Sequence, residues 1–261
     1  MRQIENLIRP HTGHITRTRV VTGGYGTATT FTVTAERGTW FVKATPNRPG
    51  GHLDAARREA AVGPFVTTVS PEIRFTVEDP DWFVVGFEHI DARPADFTPG
   101  SPDLPLLVDV LDRLAAIPLP PVAHDWHETR WDRFATEEER ALFRGDDLVH
   151  ADVHGRNVLI DGDGRSRLVD WEWPTRGAGL ITLGSVAVQL VAAGHSAESA
   201  ESWIGRCSAW QRADPDGLDA FARAGSRMMD WFANRHPEDT WLSALADAAS
   251  TWSHHRARAL R

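Results

Sequence analysis

Two oxygen-rich stretches in the second half of the chain hold the residue types best suited to act together. The first is Leu148-Val-His150-Ala-Asp152-Val-His154-Gly-Arg156-Asn157-Val-Leu-Ile160, and the second, beyond Gly162-Asp163-Gly164, is Leu168-Val-Asp170-Trp-Glu172. Asp152, Asn157 and Asp170 are hard oxygen donors at the edges of apolar strands, and a hairpin would bring them into one small volume. Magnesium prefers such donors and completes its octahedron with waters and substrate phosphates. Metal-dependent phosphoryl transfer is the chemistry this spacing suits. His150 reads as a hydrogen-bonded histidine that orients the loop, while His154 and Arg156 fit substrate-facing and solvated positions equally well.

A second signal lies early in the chain. Of 28 basic residues 27 are Arg, and the exception is Lys43, in the apolar run Thr39-Trp-Phe-Val-Lys43-Ala. A compact ammonium meets a need for a point charge that a guanidinium does not, although a lone lysine can also survive by chance. Gly23-Gly24-Tyr25-Gly26 falls between two predicted strands, whereas a dinucleotide fingerprint would open a helix. Glycines there either let backbone amides approach a phosphate or simply make a turn.

The elements that must position these residues divide the chain in two. Val20-Val21, 29–35, 39–44, 72–77 and 82–87 have the alternation and β-branched or aromatic content of strands, with Glu36-Arg37-Gly38 as a hairpin turn and one helix over 52–66. Proline and glycine in 91–101 mark a connector, so the boundary is placed near residue 90, giving an N-terminal lobe 1–90 and a C-terminal lobe 91–261. The second lobe reads mainly as helix, over 104–117, 136–143, 180–193, 197–210, 216–233 and 239–258. The expected class is α+β: a small antiparallel sheet with one helix, then a larger, mostly helical lobe.

Composition narrows the function. The 261 residues carry a net charge of −8, with no basic surface for nucleic acid. The surplus is local: 91–173 hold 18 acids against 9 bases, while 1–90 hold 9 against 10 and 174–261 hold 9 against 9. If those carboxylates line a cleft they attract a cationic substrate; as a solvated face they serve solubility. The N-terminus lacks a signal-peptide stretch, the apolar run 179–194 is too short to span a bilayer, and Cys207 is the only cysteine. A cytoplasmic protein with no membrane or nucleic-acid partner is expected, as a monomer or homodimer.

The order His150-x-Asp152-x4-Asn157, followed thirteen residues later by Asp170, resembles the catalytic loop and metal-binding strand of the protein-kinase-like fold. It is most similar to the aminoglycoside phosphotransferase branch, with its choline-kinase-like and homoserine-kinase-like members, over about residues 15–258. The resemblance implies a two-lobed fold and ATP, or GTP, with magnesium as cofactors. It implies that Lys43 contacts the α- and β-phosphates, that Glu59 is its ion-pair partner, and that Gly24 and Gly26 belong to the phosphate-side loop. Gly86-Phe-Glu88-His89-Ile90 matches the hinge holding the purine, Asp152 the base, and Asn157 and Asp170 the magnesium ligands. Asp170-Trp-Glu172 replaces Asp-Phe-Gly and no long activation segment follows, which points away from protein substrates and makes Glu172 a further site candidate. The implied acceptor is a hydroxylated, cationic small molecule, an antibiotic first. A primary metabolite (choline, homoserine or sugar type) is the alternative, and a catalytically silent nucleotide-binding regulator the lesser one.

Overall fold

The computed structural model describes residues 1–21 and 28–259, which form two compact units: Met1–Ala92 with Val169–Trp173, and Arg93–Leu168 with Pro174–Arg261.

The first unit is built from α1 (Arg2–Thr12), β1 (Ile15–Val20), β2 (Thr29–Ala35), β3 (Gly38–Pro46), α2 (Gly51–Val62), β4 (Ile73–Glu78) and β5 (Trp82–Glu88). The strands form one antiparallel sheet in the order β1-β2-β3-β5-β4. Glu36 and Arg37 make the β2–β3 turn, and Gly38 beyond it takes φ 137°. Alternation sorts the side chains to two faces. On one, Phe31, Val33, Trp40, Val42, Ala44 and Val84 pack with Ile4 and Ile8 of α1; on the other, Phe83, Val85 and Phe87 pack with Leu53 and Ala56 of α2. Each Val, Leu, Ile or Phe side chain among these contributes about 1.5–3 kcal/mol through burial.

Helix α1 adds a second helix where the sequence suggested one. Ile4, Leu7 and Ile8 stand at helical spacing, but eleven polar-rich residues with Pro10 inside make a weak signal, and packing on the sheet supplies what propensity lacks.

The second unit contains β6 (Ala92–Pro94), α3 (Leu104–Ala115), α4 (Glu137–Leu142), β7 (Asp147–Val149), β8 (Val158–Asp161), β9 (Ser166–Leu168), β10 (Thr175–Gly177), α5 (Leu180–Ala192), α6 (Ala197–Ile204), α7 (Ser208–Arg212), α8 (Pro215–Arg235) and α9 (Thr240–Ala259). The buried centre is α5, with Leu180, Ile181, Leu183, Val186, Ala187 and Leu190 inside. Its Gly184 admits the Phe221 ring so closely that a Cβ would lie 2.4 Å from it. Among the described residues no helix is long and apolar enough to cross a membrane. The helix expected over 197–210 is broken at Gly205–Cys207, and Cys207 is buried between α6 and α7.

Around the oxygen-rich stretches, β8 and β9 form the hairpin across Gly162–Gly164 that the sequence reading expected, and further pairings join it. β7 pairs with β10, while β8 pairs with β9 and with β6, so the segment 150–157 is a loop between two small sheets.

Candidate active site

Lys43 lies on β3, in register with Thr30 of β2 and Val85 of β5, on the face that α2 covers. Its side chain is 12% exposed, and its Nζ stands 3.0 Å from Glu59, 2.6 Å from Asp170 Oδ1 and 3.5 Å from Glu172 Oε1. Glu59 follows Leu53 and Ala56 along the buried stripe of α2, where an acid requires a partner. It has two, because the Trp171 backbone N–H also donates to its Oε1 at 3.0 Å. Glu59 thereby ties the strand lysine to the segment carrying Asp170.

Asp170 is the one non-glycine residue with positive φ (69°) among the described residues. Left-handed backbone is uncommon outside glycine and most accessible to Asn and Asp. It lies two residues beyond Leu168, the end of β9.

One ammonium faces three carboxylates here. Burial works against the charged form of Lys43, but Glu59, Asp170 and Glu172 outweigh it and hold its pKa above the ordinary lysine range. Burial pushes the Glu59 carboxyl up against the pull of Lys43, and Asp170 and Glu172 add to the rise. Oxygens of the three carboxylates lie within 4.8 Å of one another. Such a surplus of hard, negative oxygen fits a divalent cation.

The second unit carries the loop. His150 is buried; its backbone N–H donates to Thr182 Oγ1 of α5 at 3.2 Å, and its Nδ1 accepts from the Asp152 N–H at 3.3 Å. It therefore shapes the loop's backbone. Asn157, 7% exposed, donates from Nδ2 to the Asp152 carbonyl at 2.9 Å and to Asp152 Oδ2 at 3.0 Å, which leaves its amide oxygen for another partner. The Arg156 N–H donates to His154 Nδ1 at 3.2 Å, so the ring proton sits on Nε2, 3.7 Å from Asp152 Oδ1. The Asp152 side chain is 64% exposed. Burial of its surroundings raises its pKa, but His154, His150 and Asn157 together bring it below the usual carboxylate value.

No family model matches the chain, and no curated protein matches it. Solved structures do. Choline kinase LicA from Streptococcus pneumoniae aligns over 97% of this chain and 98% of its own, with TM-score 0.67 and 11% identity. Spectinomycin phosphotransferase APH(9)-Ia in complex with ADP and spectinomycin aligns over 97% and 93%, with TM-score 0.61 and 13% identity. A thermostable mutant of aminoglycoside phosphotransferase APH(4)-Ia, in ternary complex with AMP-PNP and hygromycin B, covers 97% and 98%, with TM-score 0.62 and 14% identity. This chain has the fold of the small-molecule kinases.

Within that kinase fold the structure brings together Lys43, Glu59, Asp170 and Glu172 in one unit and Asp152 with Asn157 in the other. Of the residues expected at a hinge, Glu88 ends β5, where its N–H donates to the Glu72 carbonyl at 2.8 Å and its carboxylate pairs with Arg74. The Ile90 N–H meets no acceptor among the described residues, and His89 is exposed. Gly24 and Gly26 lie outside the described residues. Sequence reasoning missed the Trp171 N–H, a backbone donor that no residue type announces, and Thr182, an ordinary helix threonine 32 positions from the histidine it meets.

Proposed function

We propose that this kinase-fold chain is an O-phosphotransferase that moves the γ-phosphoryl of ATP or GTP onto a hydroxyl of a small molecule. The observation that carries it is the Lys43 cluster: a buried ammonium held by Glu59 and Asp170 at 3.0 and 2.6 Å, in a chain that otherwise uses only arginine. Lys43 would contact the α- and β-phosphates, Glu59 would fix its position, and Glu88 and Ile90 would meet the purine edge through backbone groups. Asp170 and Asn157 would each give an oxygen to magnesium, with Glu172 as a further donor; when bound, the ion neutralises charge on the phosphates. Asp152 would orient the acceptor hydroxyl and take its proton, with Asn157 fixing the carboxylate. Asp-Trp-Glu in place of Asp-Phe-Gly favours a small acceptor over a protein.

The acceptor is proposed to be cationic, from the acidic stretch 91–173, and an antibiotic first, which would make the protein a cytoplasmic resistance enzyme. The likeness to choline kinase LicA favours a second reading, an amino alcohol or related metabolite. A coupled nucleotide-consumption screen over cationic antibiotics and small alcohols separates the two, with product mass read for an added phosphate. ATP consumption stimulated by none of them, with no phosphorylated product, counts against the proposal.

A further inference from the structure

Helix α2 places Glu59, yet its own beginning is weakly built. Gly50 at its N-cap has φ 147° and no capping side chain, and Gly51 is its first residue. Glycine loses more conformational freedom on folding than any other residue, and a side-chain cap would satisfy one of the open N–H groups. Contacts from outside the helix have to hold this end still.

The segment that carries Asp170 supplies them, inside the same compact unit. Trp171 is buried, and its N–H donates to Glu59. Two residues on, the Trp173 ring lies against the helix opening: a Cβ on Gly51 would stand 3.6 Å from it, an ordinary contact distance. Arg58 follows Gly51 by two helical turns on the same side, and helical side chains lean toward the N-terminus. Its guanidinium accordingly reaches the same ring, 5.8 Å from the centroid. Trp173 remains 49% exposed, so it is not a core residue; what it covers is the end of α2 that has no side-chain cap. One short segment thus holds α2 at two points, through Trp171 and Trp173, and presents two carboxylates to Lys43, from Asp170 and Glu172.

Resting on the phosphotransferase reading, we infer that Trp173 is a positioning residue for the nucleotide's phosphates: its ring holds the opening of α2, and through the helix Glu59, so that Lys43 is kept in place to meet them. Without the ring the helix is free to shift and draw Glu59 away. Lys43 is then held only by Asp170 and Glu172, the carboxylates that the proposed reaction gives to magnesium.

Calorimetry of the full chain in magnesium, with ATP and with adenosine, tests this on wild type, Trp173→Ala, Trp173→Phe, Lys43→Met and Lys43→Met/Trp173→Ala. Trp173→Ala should lose about tenfold of the ATP affinity, within the range of coupling between residues of one network, and none of the adenosine affinity. Trp173→Phe should recover most of the loss. In Lys43→Met, which has no ammonium left to position, removing Trp173 should change ATP affinity little. Gly51→Ala, whose Cβ has room and whose helix propensity is higher, should return part of the ATP affinity to Trp173→Ala. Amide hydrogen exchange in the first turns of α2 should quicken in Trp173→Ala and slow again with Gly51→Ala. Thermal melts check the fold, and Trp173→Leu takes the place of the alanine variant if that variant does not fold. ATP affinity unchanged without the ring, an equal loss for adenosine, or the full further loss in the Lys43→Met background overturns the inference. No binding of ATP or adenosine to wild type overturns the phosphotransferase reading instead.

Discussion

Asp170 combines three constraints in one residue: a left-handed backbone, a 2.6 Å contact to Lys43, and a place next to the Trp171 N–H that Glu59 accepts. Because Asn tolerates φ near 69° and Ala does not, Asp170→Ala should lose about 1 kcal/mol more stability than Asp170→Asn in chemical denaturation. Both should lose the magnesium-dependent increment of nucleotide affinity in paired titrations with and without magnesium. At Asp152, a pKa held below the usual carboxylate value keeps the base ionised through neutral pH. A base works deprotonated, so kcat/KM should hold as pH falls and drop only below the ordinary carboxylate range. An acidic limb near pH 6 or above would place the proton acceptor elsewhere. Lys43, Asp152, Asn157 and Asp170 could be picked out from residue type and order. Asp170's strained backbone could not, since φ is imposed by the surroundings.

Among the elements, β5 shows how tightly the sheet is filled. A Cβ on Gly86 would sit 2.2 Å from the Phe75 ring, which is itself stacked on His11 of α1. Gly86→Ala should therefore cost about 1–3 kcal/mol by overpacking, read as a lower melting temperature, where a glycine kept only for flexibility would gain stability. In the second unit Glu128 is buried, accepts 2.6 and 2.8 Å hydrogen bonds from Thr175 Oγ1 and the Arg130 N–H, and pairs with the Arg130 guanidinium. Burial opposes its ionisation, but these partners hold its pKa down. A depressed folded-state pKa means the stabilisation is complete above the unfolded carboxylate value, near 4.3, and is lost as pH falls through the folded one. Glu128→Gln should cost about 1–3 kcal/mol at pH 7, and the gap from wild type should close in acid unfolding. The strands and long helices were legible because their apolar periods are long. The β8–β9 hairpin was legible from its glycine turn, whereas the pairing of β7 with β10 and of β6 with β8 was not, because runs of three or four residues do not specify which neighbour they pair with.

At the scale of the whole molecule, the small-molecule kinase fold is shared with proteins of 11–14% identity, so the arrangement of elements persists where most residue identities do not. The fold was legible mainly because the order of Lys43, Asp152, Asn157 and Asp170 and the strand-then-helix pattern could be read without the other residues. The acceptor was not, since the acidic stretch 91–173 records a charge and not a shape. The central claim is that Asp152 serves phosphoryl transfer to a bound hydroxyl. Its most direct measurement is turnover of wild type and Asp152→Ala on the acceptor found by screening, with nucleotide affinity followed in parallel. The account predicts that kcat falls by about 10²- to 10⁴-fold while nucleotide affinity stays within a few-fold, and near-normal turnover in the variant would contradict it.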